Sequence, residues 1–194
     1  MADTDKTSTR ALTPVGLLVF PALFEPKSFE NGPERYSAVL IFDEEAQKTA
    51  EFLNLKRVAS VAAREKFGEK MPPKFRNPFR DGEEKEVAGF GEGKVFISVT
   101  SKNKPLVVDR KKVEGKFPII TDEERLYSGC YVRCSVNAFS YDRSGNKGVS
   151  FGLNNVQFVR DGERLAIGGR SNPNSDFDDV EGENVSEGEA NDLF

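Results

Sequence analysis

The stretch YVRCSVNAFSYD, residues 131–142, sorts its side chains by parity. Val132, Cys134, Val136 and Ala138 make one apolar face fit for the inside of a sheet, because successive strand residues point to opposite sides. Tyr131, Arg133, Ser135, Asn137, Phe139 and Tyr141 make the other. Exposed aromatics beside an arginine are costly in water unless something stacks on them. Single-stranded nucleic acid meets that need: each stacked base contributes roughly 1–3 kcal/mol, and nearby cations meet the phosphates. Phe139 and Tyr141 packed beneath a helix or in a dimer interface would give the same pattern, and the strand alone leaves both readings open.

The loop PPKFRNPFR repeats the theme. Lys74, Arg76 and Arg80 alternate with Phe75 and Phe79, while Pro72, Pro73 and Pro78 stiffen the segment. Stiffness lowers the ordering entropy lost on binding. A proline-rich linker whose phenylalanines tuck back onto the body is the competing expectation. Lys102 and Lys104 in SKNKP, and Lys147 in GNKG, add charge at strand ends, although turn charges are usually only solvated.

Other chemistries fare worse. The chain has no histidine, which excludes Ser-His-Asp and Cys-His catalysis and histidine-containing metal sites. Cys130 and Cys134 have equal parity on one strand, on the same face but well apart, so no intrastrand disulfide is expected, in keeping with a reducing cytoplasm. GFGEGKV resembles a phosphate loop but has Ala88 where glycine and Val95 where Ser or Thr would be required, and it leads into a strand. Asp81, Glu83, Glu84 and Glu86 could gather Mg²⁺ as a nuclease or resolvase does. Acids clustered in a surface loop are far more often a solvated turn. The expectation is a non-enzyme with no catalytic residue, metal or cofactor.

The elements that must position these residues are legible in outline. Residues 1–11 read as a disordered lead, polar and without the apolar run of a signal peptide. LTPVGLLVFPALF is strand-like, with Pro14 and Pro21 arguing for an edge or a bend. ERYSAVLIF is a second strand. A single helix is expected over about 43–67, capped by Asp43, stopped by Gly68 and burying Phe52, Leu55, Ala59 and Ala62 on one stripe. Strands then follow at KVFISVTSK, PLVVD, CYVRCSVNAFSYD and GVSFGLNNVQFVRDG. Strands, one helix and more strands indicate a mainly β fold: an OB-fold-like antiparallel five-stranded barrel plugged by the helix, spanning residues 12–170. Such barrels usually place the helix between the third and fourth strands. Only two strands precede Asp43, so either the bent first run is two strands or the topology is a variant.

The segment YSGCYVRCSVNAFSYDRSGNKGVSFGLNNVQFVRDGERLAIGGR closely resembles bacteriophage single-stranded-DNA-binding proteins, a group long known only as a domain of unknown function. The aromatic strand, the GNKGVSFGLNNVQ hairpin, the RDGE turn and the GGR exit carry the likeness, joined upstream by NPFRDGEEKE and KPLVVD. The resemblance implies an oligonucleotide-binding barrel related to the replication single-strand binders of podoviruses. It also implies sequence-independent DNA binding in replication or recombination, a homodimer, and an acidic C-terminus ending in an aromatic residue.

The tail fits that implication. Of 32 acids, eight (Asp176, Asp178, Asp179, Glu181, Glu183, Glu187, Glu189 and Asp192) fall after Arg170, where there is no base, leaving 24 acids against 28 bases in residues 1–170. A basic body thus carries its own acidic, disordered tail over 171–194. Tethered carboxylates raise the local anion concentration beside a basic groove and compete with phosphates. Once displaced by DNA, Leu193 and Phe194 are free to dock on a phage or host polymerase, helicase or nuclease. A purely solubilising tail has no need of that ending. A third expectation is a tail that mimics DNA toward a host enzyme on a body that binds none.

Overall fold

The computed structural model describes residues 8–28 and 32–167; the acidic tail lies outside the described residues. Eight strands run in the order β1 (Arg10–Leu12), β2 (Gly16–Lys27), β3 (Arg35–Phe42), β4 (Arg80–Asp81), β5 (Val95–Ser101), β6 (Leu106–Val108), β7 (Tyr131–Arg143) and β8 (Asn146–Arg160). Helices α1 (Glu44–Gln47) and α2 (Ala50–Phe67) stand between β3 and β4.

Five of these strands close a barrel. β2 pairs with β3, β3 with β5, β5 with β8, β8 with β7, and β7 returns to β2. Four seams are antiparallel and the β5–β8 seam is parallel. β1 lies outside the ring beside β7, and its first residue, Arg10, falls within the stretch expected to lead the domain. The bent first run therefore supplies one ring strand, and the helices lie between the second and third ring strands. The topology is a variant of the usual barrel order.

Proline punctuates β2 without moving it to an edge. The β2–β3 register slips between Val19 and Ala22, and Phe20 in the gap has φ 50°. Pro21 thus sits at a bulge, where its missing N–H costs no ladder bond.

The expected single helix is two. Asp43 caps α1 by accepting from Ala46 N at 2.8 Å, and Thr49 interrupts the run and caps α2 by accepting from Phe52 N at 3.3 Å. A threonine hydroxyl that satisfies orphan N–H groups favours a fresh start over continuation. The stripe of α2 is buried as expected at Phe52, Leu55, Ala59 and Ala62, joined by Val58 and Ala63. It closes one end of the barrel against β7, β1 and β8, and Ser140 Oγ donates to Ala62 O at 2.6 Å.

Inside the ring, Leu18, Leu40, Phe42, Ile97, Val132, Val136, Phe151 and Val156 form the core. Each fully buried side chain of this size contributes about 1.5–3 kcal/mol. Cys130 and Cys134 are free and buried, and loss of water pushes their thiols up to about 11 and about 12. They are uncharged packing groups at neutral pH. A second apolar cluster lies outside the ring, where Val19, Ile41, Phe90 and Phe96 pack with Leu165 and Ile167. The described chain thus ends against the outer face of β2, β3 and β5.

Candidate nucleic-acid interface

The parity read from the sequence holds along β7: Val132, Cys134, Val136 and Ala138 are buried, and the alternate residues face outward. Pairing extends that outer face sideways. Phe139 lies opposite Ser150, Asn137 opposite Gly152, and Gly152 beside Thr100 of β5. By the same parity Ser98 lies beside Ser150. The floor between β7 and β5 is therefore built from Ser98, Thr100, Ser150 and Gly152, residues too small to fill it.

Two walls turn this floor into a groove of about 640 Å³, lined by Arg76, Phe79, Arg80, Ser98, Tyr141 and Ser150 among others. One wall is Tyr141 of β7. The other is the proline-stiffened loop, which is stitched to the start of β8: Arg76 N donates to Lys147 O at 2.8 Å, and Val149 N donates to Arg76 O at 3.3 Å. Gly148 permits the close approach. A Cβ there would stand 2.5 Å from Arg76 O and 2.9 Å from the Tyr141 hydroxyl. Gly148→Ala is therefore expected to lower stability by about 1–3 kcal/mol, as overpacking does. Gly152→Ala, whose methyl would meet Asn137 O at 3.6 Å and the Phe139 ring at 3.7 Å, ordinary contact distances, is the control, expected to stay within about 0.5 kcal/mol. Urea denaturation of both variants checks the contrast.

The structure gathers some of the expected residues and diverts others. Arg76, Phe79, Arg80 and Tyr141 share the groove, and Phe139, 44% exposed, stands next along the same face. Arg76 forms no ion pair among the described residues. Arg80 is less free, since its Nε donates to Glu84 Oε2 at 2.9 Å and its guanidinium stacks 4.9 Å over Phe96. Phe75 and Phe79 turn inward: Phe79 makes edge contacts at 5.5 Å with Phe52 and 5.7 Å with Phe151, and Phe75 meets Phe67 at 6.0 Å. Both rings are partly buried against the body, as the competing expectation has it, and Phe79 keeps an edge in the groove. Lys147 is paired with Asp142 at 3.2 Å. Lys74, Lys102 and Lys104 are exposed, with Lys104 5.9 Å over Phe24.

At the other end of β7, Tyr131 is covered by Arg160 at 3.3 Å, and Arg133 Nε donates to Gln157 Oε1 at 2.7 Å. Sequence reasoning missed the small floor, Gly148 and Gln157. The only clue to the first was the alternation of Ser and Gly with apolar residues in GVSFGL.

Asp81 and Glu84, two of the acids able in sequence to gather Mg²⁺, make local hydrogen bonds instead. Asp81 caps a short turn by accepting from Glu83 N at 3.0 Å, and Glu84 holds both Arg80 and the Asp81 N–H. Among the described residues no three acids or thiols converge to hold a metal ion, nor is any helix long and apolar enough to cross a membrane.

A five-membered ring of strands capped by a helix, with an aromatic and basic outer face, defines an oligonucleotide-binding barrel. Residues 12–189 match the family described as Enterobacter phage Enc34, ssDNA-binding protein, and the chain belongs to that family, one of binders rather than enzymes. It is 35% identical over 173 residues to protein p50 of Acyrthosiphon pisum secondary endosymbiont phage 1, covering 84% of this chain and 89% of that one. The fold is shared with the bacteriophage Enc34 single-stranded DNA-binding protein solved in complex with ssDNA, at TM-score 0.67 and 19% identity over 84% of this chain and 96% of that one. It is shared more loosely with gp2.5, a single-stranded DNA binding protein encoded by bacteriophage T7, at TM-score 0.52 and 17% identity over 89% and 100% of the two chains.

Proposed function

We propose that the chain binds single-stranded DNA without sequence preference, in phage DNA replication or recombination, through the outer face of β5, β8 and β7. The observation that carries this is the groove itself: a floor of Ser98 and Ser150 between Tyr141 and the Arg76–Arg80 loop, with Phe139 exposed beside it. Stacked bases fit on Phe139 and Tyr141, and phosphates beside Arg76. Residues 12–170 are the binding domain in this reading. The acidic tail, 171–194, competes for the groove at low salt, and Leu193 and Phe194 recruit a replication protein once DNA displaces it. The protein acts as a homodimer in the host cytoplasm. Family membership supports DNA binding; the charge split between body and tail supports the competition.

Dye-labelled oligo-dT read by anisotropy tests the reading, with the full chain compared with a chain ending at Arg170 at two salt concentrations. The shorter chain is expected to bind more tightly, and the gap to narrow as salt rises, because counterion effects weaken both competitors. Absence of binding by either chain would overturn the proposal and leave the tail, acting on a protein partner, as the functional element.

A further inference from the structure

The segment DRKKVEGKFPII between β6 and β7 holds Arg110, Lys111, Lys112 and Lys116 within seven residues, with Glu114 as the one acid among them. It is an ordered hairpin rather than a loose loop. Val113 N donates to Lys116 O at 2.8 Å, and Lys116 N returns the bond to Val113 O at 3.0 Å. The two residues between, Glu114 and Gly115, have φ of 50° and 78°, the left-handed pair that a tight hairpin turn requires. Further down, Asp109 N donates to Pro118 O at 2.9 Å and Ile120 N to Val107 O at 2.8 Å.

Its position matters as much as its charge. β6 continues along the flank of β8 that β5 occupies earlier, with Val108 beside Gln157. Gln157 accepts from Arg133 of β7 and donates to Asp109 O at 3.3 Å. The base of the hairpin is therefore tied to the outer face at Arg133, eight residues along β7 from Tyr141, or about 27 Å at strand spacing. The hairpin leaves Val113 and Ile119 62% and 60% exposed, and Lys112 lies 5.2 Å over the half-exposed Phe117 ring. None of its four bases forms an ion pair among the described residues.

We infer that this hairpin is a second phosphate-binding element that carries single-stranded DNA beyond the barrel groove, with Lys111, Lys112 and Lys116 on the backbone and Phe117 available to a base. The inference rests on the proposed DNA binding and adds a length to it: strands that fill only the groove would not reach the hairpin.

The test uses the full chain and the chain ending at Arg170, each with and without Lys111→Ala/Lys112→Ala/Lys116→Ala, titrated with dT oligomers of graded length. All three lysines are exposed, so an unchanged melting temperature is the check on folding. The triple variant is expected to match the unsubstituted chain on the shortest oligomers that bind and to fall behind on longer ones. Its salt slope on the longer ones is expected to be shallower by about 2, at 0.7 per phosphate contact, so that the unsubstituted chain's advantage shrinks about 20-fold between 50 and 200 mM salt. Equal affinities and slopes at every length, with the unsubstituted chain binding well, would overturn the hairpin while leaving the groove intact. A difference confined to the chain with its tail would overturn it too, assigning the lysines to the acidic tail. No binding by any chain would remove the proposed function itself.

Discussion

Replacing Phe139 and Tyr141 together by alanine is expected to weaken oligo-dT binding by about 100-fold, from the lower part of roughly 1–3 kcal/mol per stacked base. The melting temperature should hardly move. Phe139 is 44% exposed, and there is room for a Cβ at Gly152 3.7 Å from its ring, so little buried surface is lost. Tyr141 lies at the groove wall, and Tyr141→Phe, which keeps the π face, is expected to retain most of the affinity. The salt slope separates stacking from charge: neither ring meets a phosphate, so the slope should match the unsubstituted chain while the whole line drops. Affinity within threefold of the unsubstituted chain would remove these rings as platforms and return Phe139 to the dimer-interface reading.

That face was readable in advance because a strand has a period of two, and the nine residues Tyr131–Phe139 of β7 obey it. The stripe of α2 was readable for the analogous reason. A five-stranded barrel was expected from the order of the elements, but how the ring closes was not readable. It depends on β7 pairing with both β2 and β8, and on a parallel β5–β8 seam between segments some fifty residues apart, for which no local pattern speaks. Pro21 left an edge or a bend open for a related reason, since a proline in a strand is equally at home at an edge or at a bulge, and only the partner strand decides. Among site residues, Tyr141 and Arg76 could be named but not brought together. Their meeting requires Gly148 to admit both, and a single glycine in a strand-like run does not announce what it makes room for. The Val113–Lys116 hairpin was not singled out in the sequence at all, because its value comes from Gln157 tying it to Arg133.

Phe79→Ala is expected to cost about 3 kcal/mol of stability, near the low end for removing a buried phenylalanine, because the ring is only partly covered. It also removes two edge-to-face contacts, with Phe52 of α2 and Phe151 of β8, each contributing about 0.5–1.5 kcal/mol beyond area. Those two contacts pin the proline-stiffened loop to both the helix and the barrel. Losing them should loosen the Arg76 wall and weaken DNA binding indirectly. Phe79→Leu distinguishes a strut from a stacking platform, because leucine fills much of the volume but offers no π face. Leucine is expected to recover most of the stability and, with it, most of the affinity for oligo-dT, measured by urea denaturation and anisotropy on the same preparation. A Phe79→Leu protein that is stable yet binds more than tenfold worse would instead place a base on the Phe79 ring, making the loop a direct reader of DNA rather than the support of Arg76.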